Sequence, residues 1–162
     1  KEVPVKEKIV VIGGGNVAMD ITRSMARLQN QKYGKVQVIT TSLESEDIMP
    51  ADREEIVEAR EEKADVKPGW GPTEIVIEND VVKGLMVQKC LSVFDEDGKF
   101  SPKFDKEDTD FFPGDMVIES KGPWQNSVDQ YAWKVESETN EGTVINSFSR
   151  IGFPSESVNT PL

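Results

Sequence analysis

Three consecutive glycines, Gly13 to Gly15, separate two segments whose apolar residues recur with different periods. Before them, residues 9–12 are all β-branched and apolar, which is typical of a strand buried on both faces in a parallel sheet. After them, apolar residues recur every three or four positions, which predicts a helix from Asn16 to about residue 30. The side chains expected on its core-facing stripe are Val17, Ile21, Met25 and Leu28. This order of strand, glycine turn and helix strongly restricts the folds open to the chain.

A second strand is predicted directly after the helix. Residues 36–40 are again rich in β-branched side chains, and strand, helix and strand within about 35 residues form a βαβ unit with a right-handed crossover. A polar link then leads to Asp52, which is placed to cap a helix over residues 52–63, with Glu55 as its capping-box partner. In this helix the residues expected to face inward are Ile56, Val57 and Ala59.

The glycine turn fits the pattern G-x-G-x-x-A at the position where a dinucleotide fingerprint belongs, between a strand and a helix. Gly13 permits the tight turn, Gly15 lets the backbone approach a pyrophosphate, and Ala18 allows the helix to pack closely on the strand. Unpaired N–H groups and the helix dipole would then face the phosphates. The candidate cofactor-binding residues here are Gly13, Gly14, Gly15, Asn16, Val17 and Ala18. The alternative is a purely structural tight turn.

The second half of the chain indicates short strands joined by turns. Residues 68–72 read Pro-Gly-Trp-Gly-Pro, a turn-rich break, and Asn79-Asp80 is a hairpin turn pair. The predicted strands are residues 73–78, 81–94, 116–118 and 143–145, with 99–114 as the return limb of an antiparallel meander or a loose loop. We expect an α/β fold, a Rossmann-like three-layer domain with a central parallel sheet and an antiparallel β-meander.

The residues that follow the second strand bear on which dinucleotide would bind. In such folds an acid at this position accepts a hydrogen bond from the ribose of NAD, whereas an arginine accommodates the extra phosphate of NADP. No basic residue lies between Lys35 and Arg53, and Glu44 is the first acid. The sequence therefore favours NADH over NADPH, with Glu44 as a candidate cofactor-binding residue; the alternative is one more exposed carboxylate.

The formal net charge of −11 is concentrated in two segments. Residues 42–65 hold ten acids and three bases, and residues 95–110 hold seven acids and three bases. They read either as a solvated helix face and an exposed loop or as an acidic docking surface. The acidity argues against a nucleic-acid partner. We expect a cytoplasmic chain with no membrane segment, because no apolar stretch is long enough to span a bilayer.

The rare residue types exclude several chemistries. The chain contains no histidine, which excludes His-containing catalytic triads and His-ligated zinc sites within it. The single cysteine, Cys90, cannot form an internal disulfide or a dithiol pair, and we expect it to be a small buried residue.

Three segments together resemble the NAD(P)H-binding domain of FAD-dependent pyridine nucleotide-disulfide oxidoreductases, in the glutamate synthase small-subunit branch. They are residues 11–20 (VIGGGNVAMD), 49–56 (MPADREEI) and 115–122 (DMVIESKG). The resemblance covers residues 8–122 and implies that NAD(P)H bound over the glycine turn delivers hydride to a flavin held by a neighbouring domain. It also implies that Gly122 lies near the nicotinamide. Residues 1–122 would form the NAD(P)H-binding domain, and 123–162 an extension returning towards an FAD domain.

The sequence departs from this branch in three ways, one of which is that residues 120–123 (SKGP) replace a usually apolar stretch ending in Gly-Gln. Residues 42–44 stand where the branch often carries arginines for the NADP phosphate, and a fingerprint that would hold FAD is absent. The resemblance therefore implies FAD in a parent enzyme, on an FAD-containing domain or subunit as partner, and no activity of this chain alone.

Two other functions stay open. One is a self-sufficient NAD-dependent enzyme, of which a short-chain dehydrogenase would need Tyr-x-x-x-Lys; here Tyr131 and Lys134 are one residue too close. The other alternative is a non-catalytic Rossmann-like interaction module that docks a partner through its acidic helix, residues 52–63.

Overall fold

A computed structural model describes residues 5–120 and 143–146. Within these residues the chain forms two sheets and two α-helices, with a short 3-10 helix at Glu46–Ile48. In chain order the elements are β1 (Ile9–Ile12), α1 (Asn16–Tyr33), β2 (Val38–Ser42), α2 (Arg53–Glu61), β3 (Asp65–Pro68), β4 (Trp70–Glu78), β5 (Val81–Phe94), β6 (Phe100–Pro113), β7 (Met116–Glu119) and β8 (Thr143–Asn146).

Five parallel strands form the central sheet, in the order β3-β2-β1-β7-β8. β1 lies in the middle, where Ile9 pairs with Val38 of β2 and with Met116 of β7. Because both faces of β1 are covered, Ile9, Val10 and Val11 are all fully buried, and the uninterrupted apolar run is explained. The predicted α/β class and central parallel sheet are confirmed.

The strand bounds differ from the prediction at three places, one of which is β4, which begins at Trp70 and not at residue 73. β2 begins two residues later than predicted, and residues 65–68, which precede and overlap the predicted break, form the edge strand β3. β3 pairs with β2 alone and has only four residues, including Lys67 and Pro68. An edge strand of this length lacks the apolar run by which a central strand is recognised. Only Gly69, with φ of 80°, remains as the turn between β3 and β4.

α1 covers one face of the sheet, but its predicted apolar stripe is wrong at two positions. Val17 and Leu28 are 37% and 38% exposed. The buried face instead carries small and polar residues, including Thr22 and Gln29. The hydroxyls of Thr22 and Thr40 are 2.6 Å apart, and Gln29 donates to backbone carbonyls that include that of Lys6. These bonds satisfy polar groups inside the core, so a period counted from apolar residues misses the face.

α2 packs beside α1 and differs from the prediction in its cap and in one core residue. Ile56 and Ala59 are buried as predicted, whereas Val57 is 46% exposed. Asp52 precedes the helix but makes no side-chain capping bond, so the predicted capping box does not form. The carboxylate of Glu55 instead accepts a hydrogen bond of 2.8 Å from Arg23 of α1.

The acidic side chains of α2 and the residue after it face a pair of bases on α1. Arg23 lies 2.6 Å from Glu58 and 3.2 Å from Glu62, and Arg27 lies 2.7 Å from Glu62. Part of the acidity of residues 42–65 is therefore neutralised within the domain, and the expected solvated helix face is only partly present.

The antiparallel sheet, in the order β4-β5-β6, covers the other face of the parallel sheet. Asn79 and Asp80 form the predicted hairpin turn, with φ of 52° and 62°. The segment 99–114, left open between a strand and a loop, contains β6. Side chains of the meander, including Leu85 and Phe112, pack on Val10 and Val117. The result is the predicted three-layer arrangement of helices, parallel sheet and meander.

Candidate functional site

The carboxyl ends of β1, β2 and β7 meet around the glycine turn. The N–H of Gly13 donates to the carbonyl of Thr41 at 2.8 Å, and the N–H of Ser120 donates to the carbonyl of Ile12 at 2.8 Å. The turn that leads from β1 into α1 is therefore held between the two neighbouring strand ends. In open parallel sheets, ligands bind at this edge.

Gly13 is a position where a side chain has no room. Its φ is 151°, and a Cβ built on it would lie 2.9 Å from both Ala18 Cβ and the carbonyl oxygen of Ser120. The contact with Ala18 shows how closely α1 packs against the turn. A larger residue at either position would push the helix away from the sheet.

Gly15 differs from Gly13 both in its backbone conformation and in the space around it. Its φ is −98°, and a Cβ built on it would meet no atom within 4 Å. It precedes the first turn of α1, which contains no acidic residue and no side-chain cap. The N–H groups at this end of the helix, beside the exposed residues Asn16 and Val17, can therefore receive an anion in the open space over Gly15.

Glu44 reaches the same turn from the end of β2. A Cβ built on Gly14 would lie 2.9 Å from Glu44 Oε2 and 2.9 Å from Ser42 Cβ. Burial raises the pKa of the Glu44 carboxyl, and a hydrogen bond from its own backbone N–H opposes that effect in part. The predicted site residues 13–18 and Glu44 thus come together, whereas Gly122 lies outside the described residues.

The segment that precedes α2 closes one side of the glycine turn, a contact that the sequence did not reveal. The N–H of Ala51 donates to the carbonyl of Gly14 at 2.9 Å. The amide of Asn16 donates to Asp52 Oδ2 at 3.1 Å, and its oxygen accepts from the N–H of Asp52 at 2.8 Å. Both polar atoms of the Asn16 side chain therefore hold this segment, which gives that candidate residue a structural task. The only feature of the sequence that pointed to this contact was that residues 49–56 take part in the family resemblance.

Lys89 is a second residue near the site that sequence reasoning missed. It comes from β5, and a Cβ built on Gly69 would lie 3.3 Å from its ammonium nitrogen. The N–H of Gly69 donates to the carbonyl of Glu44 at 2.9 Å. A basic residue 45 positions after Glu44 in the chain therefore lies close to the end of β2.

The described residues were also compared with what a cavity, a metal site or a membrane-spanning helix would require. A cavity of about 280 Å³ opens at the amino ends of the strands, lined by residues that include Lys8, Val38 and Asp65, away from the glycine turn. No group of three or more potential metal-ligating side chains is found in residues 5–120 or 143–146. Among the described helices, neither has the length and apolarity to cross a membrane.

Comparison with known proteins gives one relative in sequence and many solved structures with a similar fold. No family model matches the chain. The glutamate synthase [NADPH] small chain of Halomonas elongata is 30% identical over 128 residues, which are 75% of this chain and 26% of that relative. The chain thus spans about a quarter of the length of the curated relative it matches.

Two of the similar solved structures, both reductases, are 16% identical to this chain. FprA of Mycobacterium tuberculosis in complex with NADPH superimposes with a TM-score of 0.56 over 94% of this chain and 49% of that chain. Thioredoxin reductase of T. acidophilum does so with a TM-score of 0.51 over 86% of this chain and 43% of that chain. The chain therefore has the Rossmann-like fold of these reductases, and the resemblance drawn from its sequence is confirmed.

Proposed function

We propose that this chain, with the fold of these reductases and sequence similarity to a glutamate synthase small chain, is the NAD(P)H-binding domain of a flavin-dependent oxidoreductase. The observation that carries the proposal is the geometry of the glycine turn. Gly13 and Gly14 are closed in by neighbouring atoms, whereas the space over Gly15 is open beside the N-terminus of α1. A pyrophosphate fits such a place because backbone can approach it closely there.

The residues of this chain would bind and orient the dinucleotide. The backbone N–H groups of residues 15–18 would receive the pyrophosphate, and the dipole of the 18-residue helix α1 would favour its negative charge. When bound, the reduced nicotinamide supplies a hydride, and the chain contributes positioning. This role requires no histidine, metal cluster or dithiol of the chain, and none is found among the described residues.

We assign the preference between NADH and NADPH to Glu44. Its carboxylate lies at the glycine turn and at the end of β2, where it can accept a hydrogen bond from a ribose hydroxyl and repel a phosphate. NADH is therefore the favoured dinucleotide. The segment 42–44 brings no arginine that would reverse this preference.

The flavin would come from elsewhere. The chain has one dinucleotide fingerprint, and the glutamate synthase small chain it resembles is about three times as long. We propose that FAD is held by another domain or subunit, that residues 1–122 form the NAD(P)H-binding unit, and that 123–162 lead towards the flavin-binding part. The role of Gly122 near the nicotinamide belongs to the same proposal.

The interaction module docking through the acidic helix has less support. Arg23 is paired with Glu55, Glu58 and Glu62, so a large share of that helix's charge is turned towards α1. An acidic surface that is partly neutralised inside the domain attracts a basic partner less strongly.

Calorimetric titration of the chain with NADH and with NADPH tests the function. We expect both to bind, with NADH the tighter. Glu44→Gln should weaken NADH binding and reduce the preference for NADH over NADPH. Glu78 on β4 is exposed, so Glu78→Gln is a control with the same charge change and should leave the affinities for both dinucleotides unaltered. Absence of binding of both dinucleotides at millimolar concentration would refute the function, and a wild-type preference for NADPH would refute the role of Glu44.

A further inference from the structure

Lys89 is held in place by its own strand pairing and by an aromatic ring. It is directly opposite Trp70 in the register of β4 and β5. Its ammonium nitrogen lies 4.9 Å from the centroid of the Trp70 ring, a distance at which a cation is attracted to the ring face. The side chain is half-buried, so its aliphatic stem has less conformational freedom to lose on binding a ligand.

The ammonium lies at the same edge of the sheet as Glu44. In the parallel pairing of β2 and β3, Ser42 is opposite Pro68, so residues 43–44 and Gly69 leave the sheet together. Gly69 bonds to both neighbours, since its N–H donates to the Glu44 carbonyl and its carbonyl accepts from the N–H of Cys90, each at 2.9 Å. Lys89 is 3.3 Å from the place of a Gly69 Cβ. The two charged residues therefore flank one hydrogen-bonded junction.

The environment of Cys90 agrees with this placement. Burial is the main cause that raises the pKa of its thiol, and a hydrogen bond with the backbone of Ser92 lowers it. The Glu44 charge raises this pKa, and the Lys89 charge lowers it. Both charges thus act on the same group beside the junction.

The charge of Lys89 is available for a ligand. Among the described residues it forms no ion pair, whereas the nearby Lys67 lies 3.5 Å from Asp65 and 5.7 Å from the centroid of the Phe112 ring. Of the two bases near the end of β3, Lys89 is the one next to Gly69 and without a carboxylate partner.

We propose that Lys89 is a specificity-determining residue of the dinucleotide site, whose ammonium binds the ribose 2′-phosphate of NADPH. The inference rests on the proposed function and deepens it. Glu44 favours the free hydroxyl of NADH, and Lys89 supplies from another strand the positive charge that residues 42–44 lack. The site accepts both dinucleotides for this reason, with NADH the tighter. A phosphate next to a preordered ammonium forms a charge-assisted contact.

The test is titration of the full chain with NADH and NADPH at low and at high salt, using three variants. Lys89→Met keeps the aliphatic stem on Trp70 and removes the charge, Lys89→Arg keeps the charge, and Lys83→Met removes an exposed charge from another part of the same strand. We expect Lys89→Met to lower the affinity for NADPH about tenfold at low salt and by less at high salt. The affinity for NADH should change less than twofold. Lys89→Arg and Lys83→Met should both bind NADPH within about twofold of the wild type.

The outcomes separate the two proposals. If the wild type binds both dinucleotides and Lys89→Met weakens both equally or neither, Lys89 has no part in specificity while the binding function stands. If Lys83→Met loses as much affinity for NADPH as Lys89→Met does, only the net charge of the chain affects NADPH binding, which also overturns the inference. If the wild type binds neither dinucleotide, the proposed function and this inference fail together. Thermal unfolding by circular dichroism confirms that each variant is folded.

Discussion

Gly13 and Gly15 are two positions apart, yet alanine should affect them in opposite ways. At Gly13 the φ of 151° is one that side chains rarely adopt, and the new Cβ would lie 2.9 Å from the Ser120 carbonyl oxygen and from Ala18 Cβ. Backbone strain costs about 1 to 3 kcal/mol, and overpacking against atoms that cannot move costs about 1 to 3 kcal/mol more. We therefore expect Gly13→Ala to lower the free energy of unfolding by about 2 to 6 kcal/mol.

At Gly15 the same methyl group enters open space at an ordinary φ of −98°. Alanine restricts the unfolded chain, which stabilises by about 0.4 to 1 kcal/mol, but it is a poorer N-cap than glycine by a similar amount. The free energy of unfolding of Gly15→Ala should therefore stay within about 0.5 kcal/mol of the wild type. The methyl group would occupy the space proposed for the pyrophosphate, so affinity for NADH should fall at least about tenfold, or about 1.4 kcal/mol.

Urea unfolding followed by circular dichroism gives the stabilities, and isothermal titration of the folded variants gives the affinities. The reasoning is refuted if Gly15→Ala is as stable as the wild type and binds NADH equally well, because the open space would then not be the dinucleotide site. It is also refuted on the structural side if Gly13→Ala unfolds at the same urea concentration as the wild type.

Two further predictions concern α2 and Glu44. Ile56→Ala removes a side chain that is only 2% exposed and should lower the free energy of unfolding by about 2 to 5 kcal/mol. Its neighbour Val57 is 46% exposed, so Val57→Ala should change the free energy of unfolding by less than about 0.5 kcal/mol. Equal losses in urea unfolding would mean that α2 does not face the core with Ile56 and the solvent with Val57. Because burial raises the Glu44 pKa above its ordinary value of 4.5, the carboxyl favours the folded state when protonated, and that stability is lost as pH rises through the raised pKa. Glu44→Gln should therefore gain stability relative to the wild type between pH 4 and neutral pH, and a difference that stays constant across thermal unfolding at several pH values would contradict this.

The local elements were largely predictable because they depend on patterns only a few residues long. The apolar run at residues 9–12 requires a covered strand, the glycine turn requires an abrupt change of direction, and Asn79-Asp80 requires a hairpin. The structure has all three, and the α/β class follows from their order along the chain.

The errors arose where a contact between distant residues outweighed local preference. Val17 and Leu28 fit an apolar period, but α1 rotates so that Thr22 and Gln29 can bond to β2 and to the segment before β1. Asp52 has the sequence of a helix cap, but its carboxylate accepts a hydrogen bond from Asn16, 36 residues earlier. The bonds of Thr22 and Gln29 join polar groups that would otherwise be left unpaired in the core, whereas the bond between Asn16 and Asp52 lies at the surface.

By itself the sequence determined that a glycine turn follows a buried strand and opens a helix, and that Glu44 is the first charge after the second strand. Only the tertiary structure decided which glycine has open space around it, and that Lys89 joins Glu44 at one edge of the sheet. The reason is physical: strand geometry and turn conformation depend on neighbouring residues, whereas the space over a backbone atom and the sum of charges near it depend on every strand that packs there.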